Sequence, residues 1–163
     1  MHKSRLRRLE WLFTDHPVYF LTACVQDRRR LLANDEIYDS FKTFGDVATR
    51  FEVLVGRYMI MPDHVHFFAA FNPKSPSLSK WMKSWKNALS KTLRGMGIPP
   101  KHWEKDFFDH VLRSGESYGE KWRYVRENPV RAGLVRRSED WPYQGEIHRF
   151  TANDLPNRRR QPL

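Results

Sequence analysis

The chain has 163 residues, 40% of them hydrophobic and 14% aromatic, which is enough apolar material for one folded domain and excludes a wholly disordered protein. The 29 Lys and Arg residues outnumber the 19 Asp and Glu residues, and the resulting net charge of +10 favours a polyanionic partner, either nucleic acid or an acidic membrane surface. The single cysteine excludes an internal disulfide, and the absence of a long apolar run and of a signal peptide predicts a soluble cytoplasmic protein.

The predicted elements alternate between strands and helices. In chain order they are a strand over 17–26, a helix over 33–51, strands over 52–61 and 64–71, a helix over 78–96, a strand over 107–114 and a helix over 116–128. Asn34 or Asp35 is the expected N-cap of the first helix. This order predicts an α+β, ferredoxin-like (RRM-like) sandwich, with an antiparallel sheet, helices packed on one face and an extra C-terminal helix.

Basic segments flank the predicted domain, which covers 17–149. Residues 1–16 lack periodic apolar side chains and are predicted to form a basic N-terminal arm. Residues 150–163 include the sequence "NRRRQPL" and are predicted to form a basic, flexible tail.

Two histidines interrupt the otherwise apolar strand in "YMIMPDHVHFF", which spans 58–68. Side chains alternate along a strand, so His64 and His66 should lie on the same face. Neutral imidazoles placed side by side suit a shared cation, although a hydrogen-bonded pair of strand histidines is the simpler alternative. The sequence contains no HExxH motif, which disfavours a zinc protease.

A tyrosine and an asparagine lie four residues apart near the end of the last predicted helix. Tyr124 and Asn128 would share a face if that helix continued to Pro129. A tyrosine hydroxyl close to a divalent cation can attack a phosphodiester. Alternatively, Tyr124 is a core aromatic residue and Asn128 is an ordinary helix-ending residue before proline.

Four segments together resemble a known family. "MPDHVHFF" resembles the HUH element (histidine, hydrophobic residue, histidine) of single-tyrosine transposases, and "YVRENPVRAGLV" resembles the tyrosine helix of the REP-associated branch. "HPVYFLTACVQDRRRLL" and "FFDHVLRSGESY" are also similar to that family, so the resemblance runs from about residue 11 to residue 145.

The resemblance implies a metal-dependent endonuclease and strand transferase that acts on single-stranded, REP-like hairpin DNA. His64 and His66 would bind Mg²⁺ or Mn²⁺, and Tyr124 would form a 5′-phosphotyrosine intermediate. Asn128 matches a position where related transposases often have glutamine, and is the expected third ligand. Tyr118 does not match the position of the family's nucleophile.

Basic residues in three segments are candidates for DNA contact, although charged residues of this kind can also be simple solvated surface. They are Lys80, Lys83, Lys91 and Arg94 on the predicted helix over 78–96, Arg5, Arg7 and Arg8 in the arm, and Arg158, Arg159 and Arg160 in the tail. Trp11 and Trp103 are candidates for stacking on bases.

Two non-catalytic alternatives share the predicted fold. An RNA-binding module has the same element order, but the central strand of this chain carries histidines where such a module carries stacking aromatics. A domesticated transposase would bind hairpins without cutting them. The pattern does not distinguish a monomer from a homodimer, and the expected location is the nucleoid of a prokaryotic-type cell.

Overall fold

A computed structural model describes residues 17–72, 74–112 and 115–150. The arm over 1–16, the segment over 151–163 and their predicted DNA contacts (Arg5, Arg7, Arg8, Arg158, Arg159 and Arg160) lie outside the described residues, as does Trp11. The strands and helices are β1 (Val18–Cys24), α1 (Asp35–Val47), β2 (Val53–Ile60), β3 (His64–Phe71), α2 (Leu78–Gly95), β4 (Phe108–Leu112), α3 (Gly115–Arg126), α4 (Asn128–Arg131) and β5 (Gln144–Glu146).

The sheet has five strands in the order β4-β1-β3-β2-β5, and every neighbouring pair is antiparallel. The first four strands, with α1 and α2 as connections, confirm the predicted ferredoxin-like arrangement. Strand β5 extends the β2 edge and was not predicted. Strand β1 pairs with β3 along its whole length, which places Cys24 opposite His64 and Thr22 opposite His66.

One face of the sheet packs against α1 and α2. The rings of Phe41 on α1, Phe67 on β3 and Trp85 on α2 meet there, with centroids separated by 5.5 Å for Phe41–Phe67 and 5.2 Å for Phe67–Trp85. Of the two predicted N-caps of helix α1, Asn34 is the one observed, because its side chain accepts a hydrogen bond from the Ile37 amide. This layer forms the larger of the two cores.

The opposite face of the sheet packs against α3. Tyr118, Trp122 and Val125 of this helix are buried against Phe20 and Phe68. Because side chains alternate along a strand, residues at even positions of β1 and β3 face this second layer. The histidine pair and the helix that carries Tyr124 therefore lie on the same side of the sheet.

The packed domain extends through residue 150, one position beyond the predicted boundary. Phe150 is buried in the second core, with its ring centroid 5.5 Å from that of Tyr118. Burial of an aromatic ring is strongly stabilising and excludes this residue from a free tail. Among the residues that the structure describes, no helix is both long enough and apolar enough to cross a membrane.

We expect Gly56→Ala to lower the free energy of unfolding by about 1–3 kcal/mol. A β-carbon on Gly56 would lie 2.6 Å from Cε2 of Phe150 and 3.0 Å from the hydroxyl oxygen of Tyr118, so the second core would have to open. Urea denaturation measures the effect. Gly95→Ala is the matched control, because its added methyl group meets no atom within 4 Å and alanine favours the helix. Equal stabilities of Gly56→Ala and wild type would contradict this packing.

Candidate active site

The two histidines lie on β3 with one nitrogen of each ring already engaged. Nδ1 of His64 lies 2.7 Å from Oδ1 of Asp63, and Nδ1 of His66 lies 2.7 Å from Oγ1 of Thr22. The ring centroids are 4.7 Å apart. Metal-binding histidines commonly donate one ring N–H to a carboxylate or other oxygen, which leaves the second nitrogen for the cation. Here Nε2 of both rings is the nitrogen available for that role.

Burial keeps both imidazoles neutral. Burial is the largest cause that lowers the pKa of His66 to about 3, and repulsion from a protonated His64 and from Lys121 and Arg131 would also oppose protonation of His66. Burial also lowers the pKa of His64, against the opposing effect of the Asp63 carboxylate. At neutral pH the pair is therefore in the unprotonated form that binds cations.

Asp63 connects the histidines to a nearby arginine. Its Oδ2 lies 3.3 Å from Nε of Arg28, and Nη1 of Arg28 donates to Sγ of Cys24 at 2.8 Å. The same carboxylate thus orients His64 and holds a guanidinium beside it. Neither residue was predicted from the sequence. The signal available was an acidic residue directly before the first histidine, together with the run of three arginines that follows Asp27.

Asn128 does not share a helix with Tyr124, contrary to the prediction. Helix α3 ends at Arg126, and Asn128 begins the four-residue helix α4. The physical reason is Pro129, which lacks the N–H group that a continuous helix would donate to the carbonyl of Val125. The structure nevertheless brings Asn128 near the histidines, because it lines the same cavity of about 530 Å³ as His64.

Tyr124 is exposed, so the alternative of a core aromatic residue is wrong. Its relative accessibility is 63%, whereas that of Tyr118 is 6%. The hydroxyl of Tyr118 accepts a hydrogen bond from the Arg57 amide, and burial raises the pKa of this phenol. Of the two tyrosines on α3, only Tyr124 presents its ring to solvent.

Arg131 links the tyrosine to the histidine cavity. Its guanidinium carbon lies 4.1 Å from the ring centroid of Tyr124, and its Nη2 donates to Oδ1 of Asn128 at 2.9 Å. Arg131 also lines the cavity that contains His64. No sequence pattern indicates this role, because the contacts depend on the turn of the chain between α3 and α4.

The positive charges near the histidines come from the segment after β1, from α3 and from α4. Arg28, Arg30 and Arg131 line the histidine cavity, and Lys121 lines a cavity of about 290 Å³ with Tyr124. Lys121 Nζ lies 4.7 Å from the ring centroid of Phe20, which stacks on His66 with centroids 5.2 Å apart. Three of these cations therefore lie at the cavity of His64, and the fourth lies at the cavity of Tyr124.

The predicted basic face of α2 is exposed but lies elsewhere. Its members are Lys80, Lys83, Lys91 and Arg94. Helix α2 packs on the face of the sheet opposite to the histidines, so the structure does not bring these residues to the site.

Trp103 is not a free stacking residue, because its indole N–H donates to the Lys86 carbonyl and the Ser90 hydroxyl and its ring packs on Trp85.

No group of three or more His, Cys, Asp and Glu residues that could hold a metal occurs within 17–72, 74–112 and 115–150. A cation at the histidine pair would therefore need a donor of another kind. Asn128 is the neutral oxygen donor that lines the same cavity.

Known proteins resemble this chain in sequence and fold. A family model described as IS200-like transposase matches residues 15–127. The chain is 24% identical over 151 residues to a REP-associated tyrosine transposase of Haemophilus influenzae, covering 84% of this chain and 83% of that protein. It is also 24% identical over 101 residues to a REP-associated tyrosine transposase of Escherichia coli K12, covering 62% of this chain and 58% of that protein.

A solved structure of a REP-associated tyrosine transposase bound to a REP hairpin has the same fold. The TM-score is 0.66 at 20% sequence identity, over 83% of this chain and 90% of that chain. The family match begins before β1 and ends just after α3, so it includes the histidine pair, Tyr124 and most of the sheet. The chain belongs to the IS200-like transposase family.

Proposed function

We propose that this transposase is a metal-dependent endonuclease and strand transferase for single-stranded, REP-like hairpin DNA, with Tyr124 as its nucleophile. The observation that carries the proposal is Arg131, which contacts the exposed ring of Tyr124 and lines the cavity of His64. The nucleophile and the proposed cation site therefore share one charged neighbour. The solved relative bound to a REP hairpin supports the choice of hairpin DNA.

The donor set fits a divalent cation. His64 and His66 have their Nδ1 atoms engaged and are neutral at pH 7, and Asn128 supplies an amide oxygen in the same cavity. These three residues would hold Mg²⁺ or Mn²⁺. When bound, the cation supplies Lewis-acid polarisation of the scissile phosphate.

Tyr124 would perform the covalent step. Its phenol oxygen attacks the phosphorus, the bond between phosphorus and the 3′ oxygen breaks, and the product is a 5′-phosphotyrosine with a free 3′-hydroxyl. The phenol proton is released as the new bond forms, and the leaving 3′ oxygen takes up a proton. Attack by a 3′-hydroxyl on the phosphotyrosine reverses the step and joins two strands.

The surrounding cations would position the DNA backbone. Arg28, Arg30 and Arg131 line the histidine cavity and suit the phosphates on either side of the cleaved bond. Arg131 in addition places positive charge against the ring of Tyr124, close to where the phosphate would be attacked. The α2 residues Lys80, Lys83, Lys91 and Arg94 are proposed to contact a more distant part of the hairpin, because they lie on the other layer.

The proposal predicts a covalent protein–DNA adduct. Wild-type protein is incubated with a library of imperfect-palindrome hairpins carrying randomised single-stranded flanks, with Mn²⁺ or with EDTA. We expect a denaturant-resistant adduct with Mn²⁺ and none with EDTA, and peptide mass spectrometry should locate the nucleotide on Tyr124. Hairpin binding with neither cleavage nor adduct would instead support the non-catalytic alternative.

A further inference from the structure

We infer that a second cavity, next to the histidines, binds an unpaired nucleobase of the strand that carries the cleaved phosphate, and that Phe108 is its stacking surface. This inference rests on the proposed function and adds a base-binding subsite to it. The cavity has a volume of about 530 Å³ and is lined by residues that include Arg28, Glu104, Lys105, Asp106, Phe107 and Phe108.

Phe108 is unusually exposed for a phenylalanine. It begins β4, an edge strand of the sheet, and 73% of its surface is accessible, the largest value for a large hydrophobic residue in the described part of the chain. Exposed aromatic side chains on an edge strand do not stabilise the fold and invite association. A ring in this position is suited to a ligand with a flat apolar surface.

The strand register places Phe108 beside the active site. Phe108 pairs with Thr22 across β4 and β1, and Thr22 pairs with His66 across β1 and β3. Residues directly opposite each other project on the same face of a sheet, so Phe108 lies on the histidine face. Two strand spacings separate its backbone from that of His66, roughly 10 Å. A nucleotide adjacent to a phosphate at the histidines can reach this ring.

The two cavities share one lining residue. Arg28 lines the cavity of Phe108 and also the cavity of His64 and Asn128. Cys24, which lines the cavity of Phe108, pairs directly opposite His64 in the sheet. A strand whose phosphate contacts Arg28 would therefore direct a neighbouring nucleotide from one cavity into the other.

The second cavity is lined by two cations, Arg28 and Lys105, and by the two carboxylates of Glu104 and Asp106. The carboxylates can accept hydrogen bonds from the amino groups of a base, a contact that a backbone phosphate could not make. Lys86 donates to the carbonyls of Glu104 and Asp106 at 3.0 and 3.2 Å, which fixes this loop. The chemistry suits cytosine, adenine or guanine, which carry amino groups, better than thymine.

A protein–DNA double-mutant cycle tests the subsite. The probe is a flanked hairpin selected from the randomised library by wild-type binding, and its unpaired nucleotides are replaced one at a time by an abasic analogue. Affinity is measured by fluorescence anisotropy in EDTA, where cleavage is suppressed. At one position we expect the abasic probe to bind wild type on the order of 10-fold more weakly, as for the loss of one stacked base.

Variants of Phe108 should show that the lost affinity comes from stacking of the base on this ring. Phe108→Ala should bind the intact probe more weakly than wild type by a similar factor. Its affinity should not fall further with the abasic probe, whereas Phe108→Trp should bind the intact probe about as tightly as wild type. Val111→Ala is the control, because Val111 is 41% exposed on the same strand but lies on the opposite face of the sheet. Thermal melting establishes that each variant is folded.

Three results would each overturn the subsite. They are losses of affinity that add when the variant and the abasic probe are combined, a Phe108→Ala variant that binds as tightly as wild type, and abasic probes that all bind as tightly as the intact probe. The adduct assay is a separate readout. If the adduct forms normally but the losses of affinity are additive, the subsite is wrong and the proposed function is unaffected. If Phe108 and one base are strongly coupled but no adduct forms, the proposed chemistry is wrong and the subsite is unaffected.

Discussion

Tyr124→Phe is expected to abolish adduct formation and to slow hairpin cleavage by at least about a thousandfold, as loss of a covalent nucleophile does in other enzymes. The substitution removes one oxygen from a side chain that is 63% exposed and keeps the ring that Arg131 contacts. Folding and hairpin affinity should therefore change little. Denaturing gels measure the adduct, and anisotropy in EDTA measures the affinity.

Tyr118→Phe is the matched control on the same helix. Its hydroxyl accepts a hydrogen bond from the Arg57 amide inside the second core. Removing it should lower the free energy of unfolding by about 1 kcal/mol and leave adduct formation intact. If Tyr124→Phe still gave the adduct at wild-type yield, another residue would be the nucleophile.

The second large effect is expected at the histidines. His64→Ala and His66→Ala should each reduce metal-dependent cleavage by at least about a hundredfold, because each removes a proposed ligand. Hairpin affinity in EDTA should stay within a few-fold of wild type, since the contacting cations remain. Binding of Mn²⁺, followed by electron paramagnetic resonance, provides a readout that does not depend on activity.

Asp63→Asn should produce a smaller loss at the same site. It keeps the shape of the side chain that contacts His64 and Arg28 but removes its charge. Loss of a residue that orients a metal ligand typically reduces affinity or activity by about 10- to 100-fold.

The histidine and Asp63 predictions share one contradicting outcome. If wild type and both histidine variants bound Mn²⁺ equally well, the cation would not lie at this pair.

The parts of the site that depend on local pattern could be predicted from the sequence. Strand alternation placed His64 and His66 on one face, the helix over 78–96 was predicted to within one residue, and Asn34 was one of the two N-caps predicted for the first helix. The break before Asn128 was missed because Pro129 was interpreted as ending the helix rather than separating two helices.

Other features depend on contacts between distant segments and have no periodic signal. Arg28 and Asp63 are 35 positions apart and meet only after β1 and β3 pair. Strand β5 has three residues, too few for alternation to indicate a strand. The face of the sheet on which α2 packs is decided by the order of the strands and helices. The sequence of α2 therefore predicts a basic face but not that this face lies away from the histidines.

The hydrogen bond from Arg131 to the amide oxygen of Asn128 joins two groups that the proposed function uses separately. If Asn128 is a ligand of the cation and Arg131 a contact of the phosphate, binding of either one would break this hydrogen bond and leave the other group unpaired. Ion uptake and substrate uptake should then assist each other, and by thermodynamic reciprocity the enhancement is equal in both directions.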